Sequence, residues 1–134
     1  IGMKEPVVQE KPGKKTQELE ENSFLSLHVT ADFHSPTFVD DAKEMEKILY
    51  GAAKAANNTP LQVTVYKFPV QGITGVILLA ESHIAIHTWP EHEYMAVDIF
   101  TCGKETKPIR ALEYLKEVFQ PKQVKIRHIR RGKK

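Results

Sequence analysis

Ile73-Thr74-Gly75-Val76-Ile77-Leu78-Leu79-Ala80 and, two residues further on, His83-Ile84-Ala85-Ile86-His87-Thr88-Trp89 are two consecutive runs of strand-forming residues. Each has a second run of the same kind beside it. Leu61 to Phe68 precedes the first across Pro69-Val70-Gln71-Gly72, and Tyr94 to Cys102 follows the second across Pro90-Glu91-His92-Glu93. Such short connections return the chain on itself, so the four runs predict an antiparallel sheet.

The flanks complete the layer. Upstream, Phe24 to Phe33 alternates with a period of two, setting Phe24, Ser26, His28 and Thr30 against Leu25, Leu27, Val29 and Ala31. Ser35-Pro36 then reads as a helix entry, since serine caps free amides and proline at the first position loses no needed donor. Phe38, Ala42, Met45, Leu49, Ala52 and Ala56 form one apolar stripe, which Asn57-Asn58-Thr59-Pro60 terminates. Downstream, Pro108 opens a second helix with Ile109, Leu112, Leu115 and Phe119 on one side, and Val124 to Ile129 closes the chain as a strand. The expected fold is α+β, a mainly antiparallel sheet with two helices on one face, in the order β-α-β-β-β-β-α-β. The other sheet face then needs a cover, which predicts a homodimer.

Residues 1 to 23 carry Lys, Glu, Gln and two prolines with almost no apolar period, which predicts a flexible arm ahead of one domain over 24–134. Met3, behind Ile1 and Gly2, reads as a natural start. With 19 Lys and Arg against 17 Asp and Glu, the net charge of +2 gives no strong field for nucleic acid or an acidic membrane. The basic cluster at Arg127, Arg130, Arg131, Lys133 and Lys134 reads as a solvated end. One cysteine allows neither an intrachain disulfide nor a zinc cluster, and no apolar run approaches a membrane span, so the cytoplasm is expected.

The chemistry concentrates in Ala80 to Glu91, where the Ser82 hydroxyl, two imidazoles and two carboxylates fall within twelve positions. Alternation puts His83, His87 and Trp89 on one face and Ile84, Ile86 and Thr88 on the other, so the apolar face is served without the histidines. In the following strand Tyr94, Ala96, Asp98, Phe100 and Cys102 share a face, and His87 could approach Cys102 in a suitable register. A metal pair at His83 and His87 is disfavoured, because four positions on a strand separate them by about 13 Å. A Cys102–His87 nucleophile pair lacks a helix start after the cysteine to activate the thiol. Backbone cleavage at Glu81-Ser82 is the third use of these groups.

Glu81-Ser82-His83-Ile84-Ala85-Ile86-His87-Thr88-Trp89-Pro90-Glu91, followed by Val97-Asp98-Ile99-Phe100-Thr101-Cys102-Gly103, closely resembles the signature of the bacterial and archaeal S-adenosylmethionine decarboxylases. Phe68-Pro69 and Gly72-Ile73-Thr74-Gly75 extend the resemblance, which loosely spans Phe24 to Arg131. It implies a pyruvoyl-dependent enzyme, with no metal and no pyridoxal phosphate, made by self-cleavage between Glu81 and Ser82. Ser82 attacks the Glu81 carbonyl and becomes the pyruvoyl group, which binds the substrate amine as a Schiff base and accepts electrons as CO2 leaves. Residues 1–81 and 82–134 stay associated as two chains. His87 matches the processing base, Thr74 the processing hydroxyl (commonly serine) and Cys102 the proton donor to the substrate carbon. Glu91 matches the ribose-binding carboxylate and Phe68 the aromatic that stacks on adenine.

Three positions depart from the pattern. His92-Glu93 stands where an aromatic and glycine are frequent, His34-Ser35 replaces a common Cys-Asp, and Ile109 stands where tryptophan is frequent. Arginine or ornithine as substrate is therefore the alternative within the family, against which Glu91 and Phe68 speak. An uncleaved binding or regulatory homologue is the alternative of another class.

Overall fold

The computed structural model describes residues 23–134. The predicted arm thus lies outside the described residues, apart from Ser23. Six strands and two helices follow in the expected order: β1 Phe24–His34, α1 Ala42–Ala55, β2 Pro60–Lys67, β3 Ile73–Leu79, β4 Ser82–Trp89, β5 Tyr94–Cys102, α2 Pro108–Phe119 and β6 Gln123–Lys133. All pair antiparallel in one sheet of order β2-β3-β4-β5-β1-β6. The four consecutive strands form the predicted meander, and β1 lies between β5 and β6.

The period of two decides which side is core. Val29, Ala31 and Phe33 of β1, Ile73, Ile77 and Leu79 of β3, Ile84 and Ile86 of β4, and Met95, Val97 and Ile99 of β5 are buried beneath the helices. Met45, Ile48, Leu49, Ala52 and Ala53 of α1 meet them, as do Ala111, Leu112, Leu115 and Phe119 of α2. Each fully buried large side chain there contributes about 1.5–3 kcal/mol relative to exposure. The helices touch closely at Gly51, where a Cβ would lie 2.1 Å from Tyr114 Oη. Only glycine leaves room for the phenol.

The first helix begins later than Ser35-Pro36 predicted. Ser35 takes a left-handed φ of 52°, its N–H donates to the Glu93 carbonyl (2.8 Å), and the Thr37 N–H donates to the Phe119 carbonyl (2.6 Å). Residues 35–41 are thus spent crossing to distant elements, and Phe38 packs on the core from outside the helix. Asp41 is the cap, accepting the Glu44 N–H at 2.8 Å. The last strand runs past the expected Ile129 to Lys133, because β1 offers it a full-length neighbour.

The sheet face away from the helices carries His28, Thr30, Asp32, His83, His87, Tyr94, Asp98 and Phe100, on alternate positions to the core residues. No helix among the described residues is long and apolar enough to cross a membrane.

Candidate active site

Glu81-Ser82 lies at the tightest point of the sheet. Leu79 of β3 pairs with Ser82 of β4, so Ala80 and Glu81 alone make the turn. A two-residue hairpin needs backbone angles that side chains resist, and here no glycine supplies them. The strain falls on Ser82, whose φ of 145° lies in a region that L residues rarely adopt. The Glu81 carbonyl accepts the Cys102 N–H at 2.9 Å. The carbonyl carbon that Ser82 would attack is thus polarised by a donor aimed at its oxygen.

Cys102 ends β5 opposite Ser26 of β1, with its side chain exposed. Beside it a groove of about 1080 Å³ opens between the start of β1 and the start of α2, lined among others by Phe24, Ser26, Leu27, Ile109 and Arg130.

The other candidates sit elsewhere. Thr74 of β3 is paired with His87 of β4, and its hydroxyl lies 3.2 Å from His87 Nδ1, so the hydroxyl and imidazole form one unit. The His87 ring in turn faces Trp89, which stacks on Tyr94 at 5.4 Å. Phe68 follows β2, half-exposed, with its ring edge against Tyr66 at 4.9 Å. Gly72, at φ 101°, brings the Phe68 turn beside Pro90, and Glu91 is exposed in the single 3-10 turn of Pro90–His92. Phe68, Thr74, His87 and Glu91 therefore gather toward the end of β4 opposite Ser82.

The sequence left open an approach of His87 to Cys102, and the register forbids it. His87 pairs with Ala96, six positions from Cys102 along β5, which is about 20 Å at strand rise. His87 is likewise five positions from Ser82 along β4, about 16 Å. Within one chain the residues form two half-sites: Glu81, Ser82 and Cys102 in one, Phe68, Thr74, His87 and Glu91 in the other.

Between them the open face is polar. His28 Nε2 lies 3.1 Å from Asp98 Oδ1, Tyr94 donates to Asp32 Oδ1 at 2.5 Å, and Arg127 Nη1 stands 3.6 Å from Asp32 Oδ2. Burial, and then the neighbouring His28, hold the His83 imidazole below the usual histidine range, so it is neutral at pH 7. Burial and the bond to Asp32 push the Tyr94 phenol well above its ordinary value, which keeps it a donor.

A sequence profile of the family described as S-adenosylmethionine decarboxylase matches residues 27–132. The chain belongs to the S-adenosylmethionine decarboxylase family. Proteins named S-adenosylmethionine decarboxylase proenzyme are similar to it along most of their length. One from Sulfurihydrogenibium sp. (strain YO3AOP1) is 43% identical over 81% of this chain and 83% of its own. One from Aquifex aeolicus (strain VF5) is 43% identical over 75% and 76%. The crystal structure of the adenosylmethionine decarboxylase from Aquifex aeolicus VF5 superposes with a TM-score of 0.76 at 40% identity, covering 82% of this chain and 92% of that one.

Two departures from the family pattern meet in space. The N–H of Ser35 bonds the carbonyl of Glu93, and His34 packs on Tyr94 at 5.6 Å. The third, Ile109, lines the groove beside Cys102. Sequence reasoning missed Thr59, which bonds the Glu81 side chain; it sits in a run that reads only as a helix terminator, 22 residues from its partner.

Proposed function

We propose that this chain is a proenzyme that cuts itself between Glu81 and Ser82 and then decarboxylates S-adenosylmethionine with the pyruvoyl group that Ser82 becomes. The observation that carries this reading is the strained Ser82, next to a carbonyl already held by the Cys102 amide. Ser82 Oγ adds to the Glu81 carbonyl carbon, its proton passing to a base, and the Cys102 N–H meets the oxygen as it gains charge, a contribution of about 10²–10³ in rate. The C–N bond breaks, freeing the amine and leaving an ester. Removal of the Ser82 Cα proton then expels Glu81 as a carboxylate and leaves a dehydroalanine. Its tautomer takes up water and loses ammonia, so that the chain 82–134 begins with a ketone.

The half-sites call for a second copy. We place Ser82 and Cys102 of one protomer against Thr74, His87, Phe68 and Glu91 of its partner, the two open sheet faces covering each other in a homodimer. His87 would serve as base, its Nδ1 held by the Thr74 hydroxyl. The pyruvoyl group supplies the carbonyl that binds the substrate amine and draws electrons as CO2 leaves. The exposed Cys102 thiol returns a proton to the substrate carbon, which suits a reducing cytoplasm. Phe68 offers an aromatic face to adenine and Glu91 a carboxylate to the ribose hydroxyls, the features that favour an adenosyl substrate over arginine or ornithine.

Intact mass spectrometry of the purified protein, with CO2 release measured from S-adenosylmethionine, arginine and ornithine separately, tests the reading. Fragments divided at 81/82 with release from S-adenosylmethionine alone are expected. Release only from arginine or ornithine would move the substrate, and an uncut, inactive chain would make this a binding homologue.

A further inference from the structure

Besides the Cys102 amide, a second residue outside the hairpin grips the turn that carries the scissile bond. Thr59, just ahead of β2, donates its backbone N–H to Glu81 Oε1 at 2.9 Å and its hydroxyl to Glu81 Oε2 at 3.2 Å. Its own carbonyl accepts the Ala80 N–H at 3.0 Å. Three hydrogen bonds from a single residue thus hold both residues of the turn.

This grip is unusual for its surroundings. Glu81 is only partly buried, and a glutamate there would ordinarily exchange among rotamers. Here both carboxylate oxygens are engaged. The Thr59 amide hydrogen bond, ahead of any opposing burial, holds the Glu81 carboxyl below the ordinary glutamate range. The carboxylate is therefore ionised at neutral pH, and the bonds to it are charge-assisted.

The geometry points to Thr59 as a positioning residue for self-cleavage, fixing the Glu81 side chain and the Ala80 amide so that the scissile peptide cannot swing away from Ser82. It rests on the reading of Glu81-Ser82 as the bond that is cut. The Cys102 N–H holds the scissile carbonyl at one point only, about which the peptide plane could pivot. The Thr59 contacts anchor the same residue at its side chain and the preceding amide, which removes the pivot. They also oppose relaxation of the Ser82 backbone, since a sparsely populated conformation persists only where its surroundings over-determine it. A misplacement on the order of 1 Å can cost a reaction about 100-fold, so the loss of one of three anchors is expected to be visible as a rate.

The test follows cleavage of the full chain in time after cell-free synthesis, by the appearance of fragments 1–81 and 82–134. Thr59→Ala is expected to slow cleavage by about 10- to 100-fold, and Thr59→Ser, which keeps the hydroxyl, to restore it. Thr59 is exposed, so neither change removes core. Because the anchor acts through the Glu81 carboxylate, Thr59→Ala placed in a Glu81→Ala background should slow cleavage no further. Cleavage of Thr59→Ala at the native rate, or the same slowing in both backgrounds, overturns the assignment. A native chain that is not cut at 81/82 would instead overturn the functional reading beneath it.

Discussion

Chains that cannot cut themselves should be able to cut one another. Ser82 and His87 occupy one strand, five residues apart, and at about 3.3 Å per residue the imidazole stands about 16 Å from the serine. A general base must come within about 3 Å of the proton it takes, so no rotamer closes that gap within a chain. Ser82→Ala removes the nucleophile and His87→Ala the base, and each alone should stay full-length, the second slowed by about 10²–10⁴. Produced together in equal amounts with distinguishable tags, they should pair at random if the proposed homodimer forms, so that about half of the His87→Ala chains find a partner that still carries its imidazole. Those chains should appear as fragments 1–81 and 82–134 on a denaturing gel, while the Ser82→Ala chain never does. If the mixture stays uncut under conditions where the native protein is fully cut, the placement of the site between two copies is wrong. If His87→Ala alone is cut at the native rate, His87 is not the base.

Three further outcomes follow from the geometry. Ser82→Gly and Ser82→Ala both block cleavage, but glycine accepts a φ of 145° without strain, so Ser82→Gly should be the more stable by about 1 kcal/mol in denaturant unfolding; equal stabilities would remove the strain argument. Gly51→Ala puts a methyl 2.1 Å from Tyr114 Oη and should cost about 1–3 kcal/mol, much of it recovered with Tyr114→Ala in the same chain; a melting temperature unmoved by Gly51→Ala contradicts the close helix contact. Cys102→Ala keeps the backbone N–H that holds the Glu81 carbonyl, so it should still be cut yet lose CO2 release; normal turnover would take the proton-donor role away from the thiol.

Much of this architecture is legible in the residues. Alternation sorts the residues of β1, β4 and β5 into the two faces found in the structure and names Ile84 and Ile86 as the apolar side of β4, because a strand with one covered face can satisfy its apolar residues in only one register. Local capping chemistry was less reliable. Ser35-Pro36 has every feature of a helix start, yet tertiary bonds to Glu93 and Phe119 hold that segment, and Asp41 caps instead. The signature from Glu81 to Glu91 singled out Ser82 and His87 as candidates, and five positions of strand already set them apart, but the separation of His87 from Cys102 depends on pairing register, which no local pattern encodes. Thr59 is invisible for a related reason: it lies in the α1–β2 connection and its partner in the β3–β4 turn, and only the fold brings the two together.

A cut between Glu81 and Ser82, as proposed, would change what the mature protein is. Severing the chain between Ala80-Glu81 and Ser82 leaves β1, β2 and β3 on one fragment and β4, β5 and β6 on the other, while β1 remains inserted between β5 and β6. The two polypeptides would be interleaved rather than juxtaposed, able to part only by dismantling the sheet. Before a cut each chain holds all six strands on one backbone; after it, melting would also separate the two fragments of each sheet and so steepen the dependence of the midpoint on protein concentration. An uncut chain carries its whole sheet on one backbone; a processed pair, once melted, would first have to find each other.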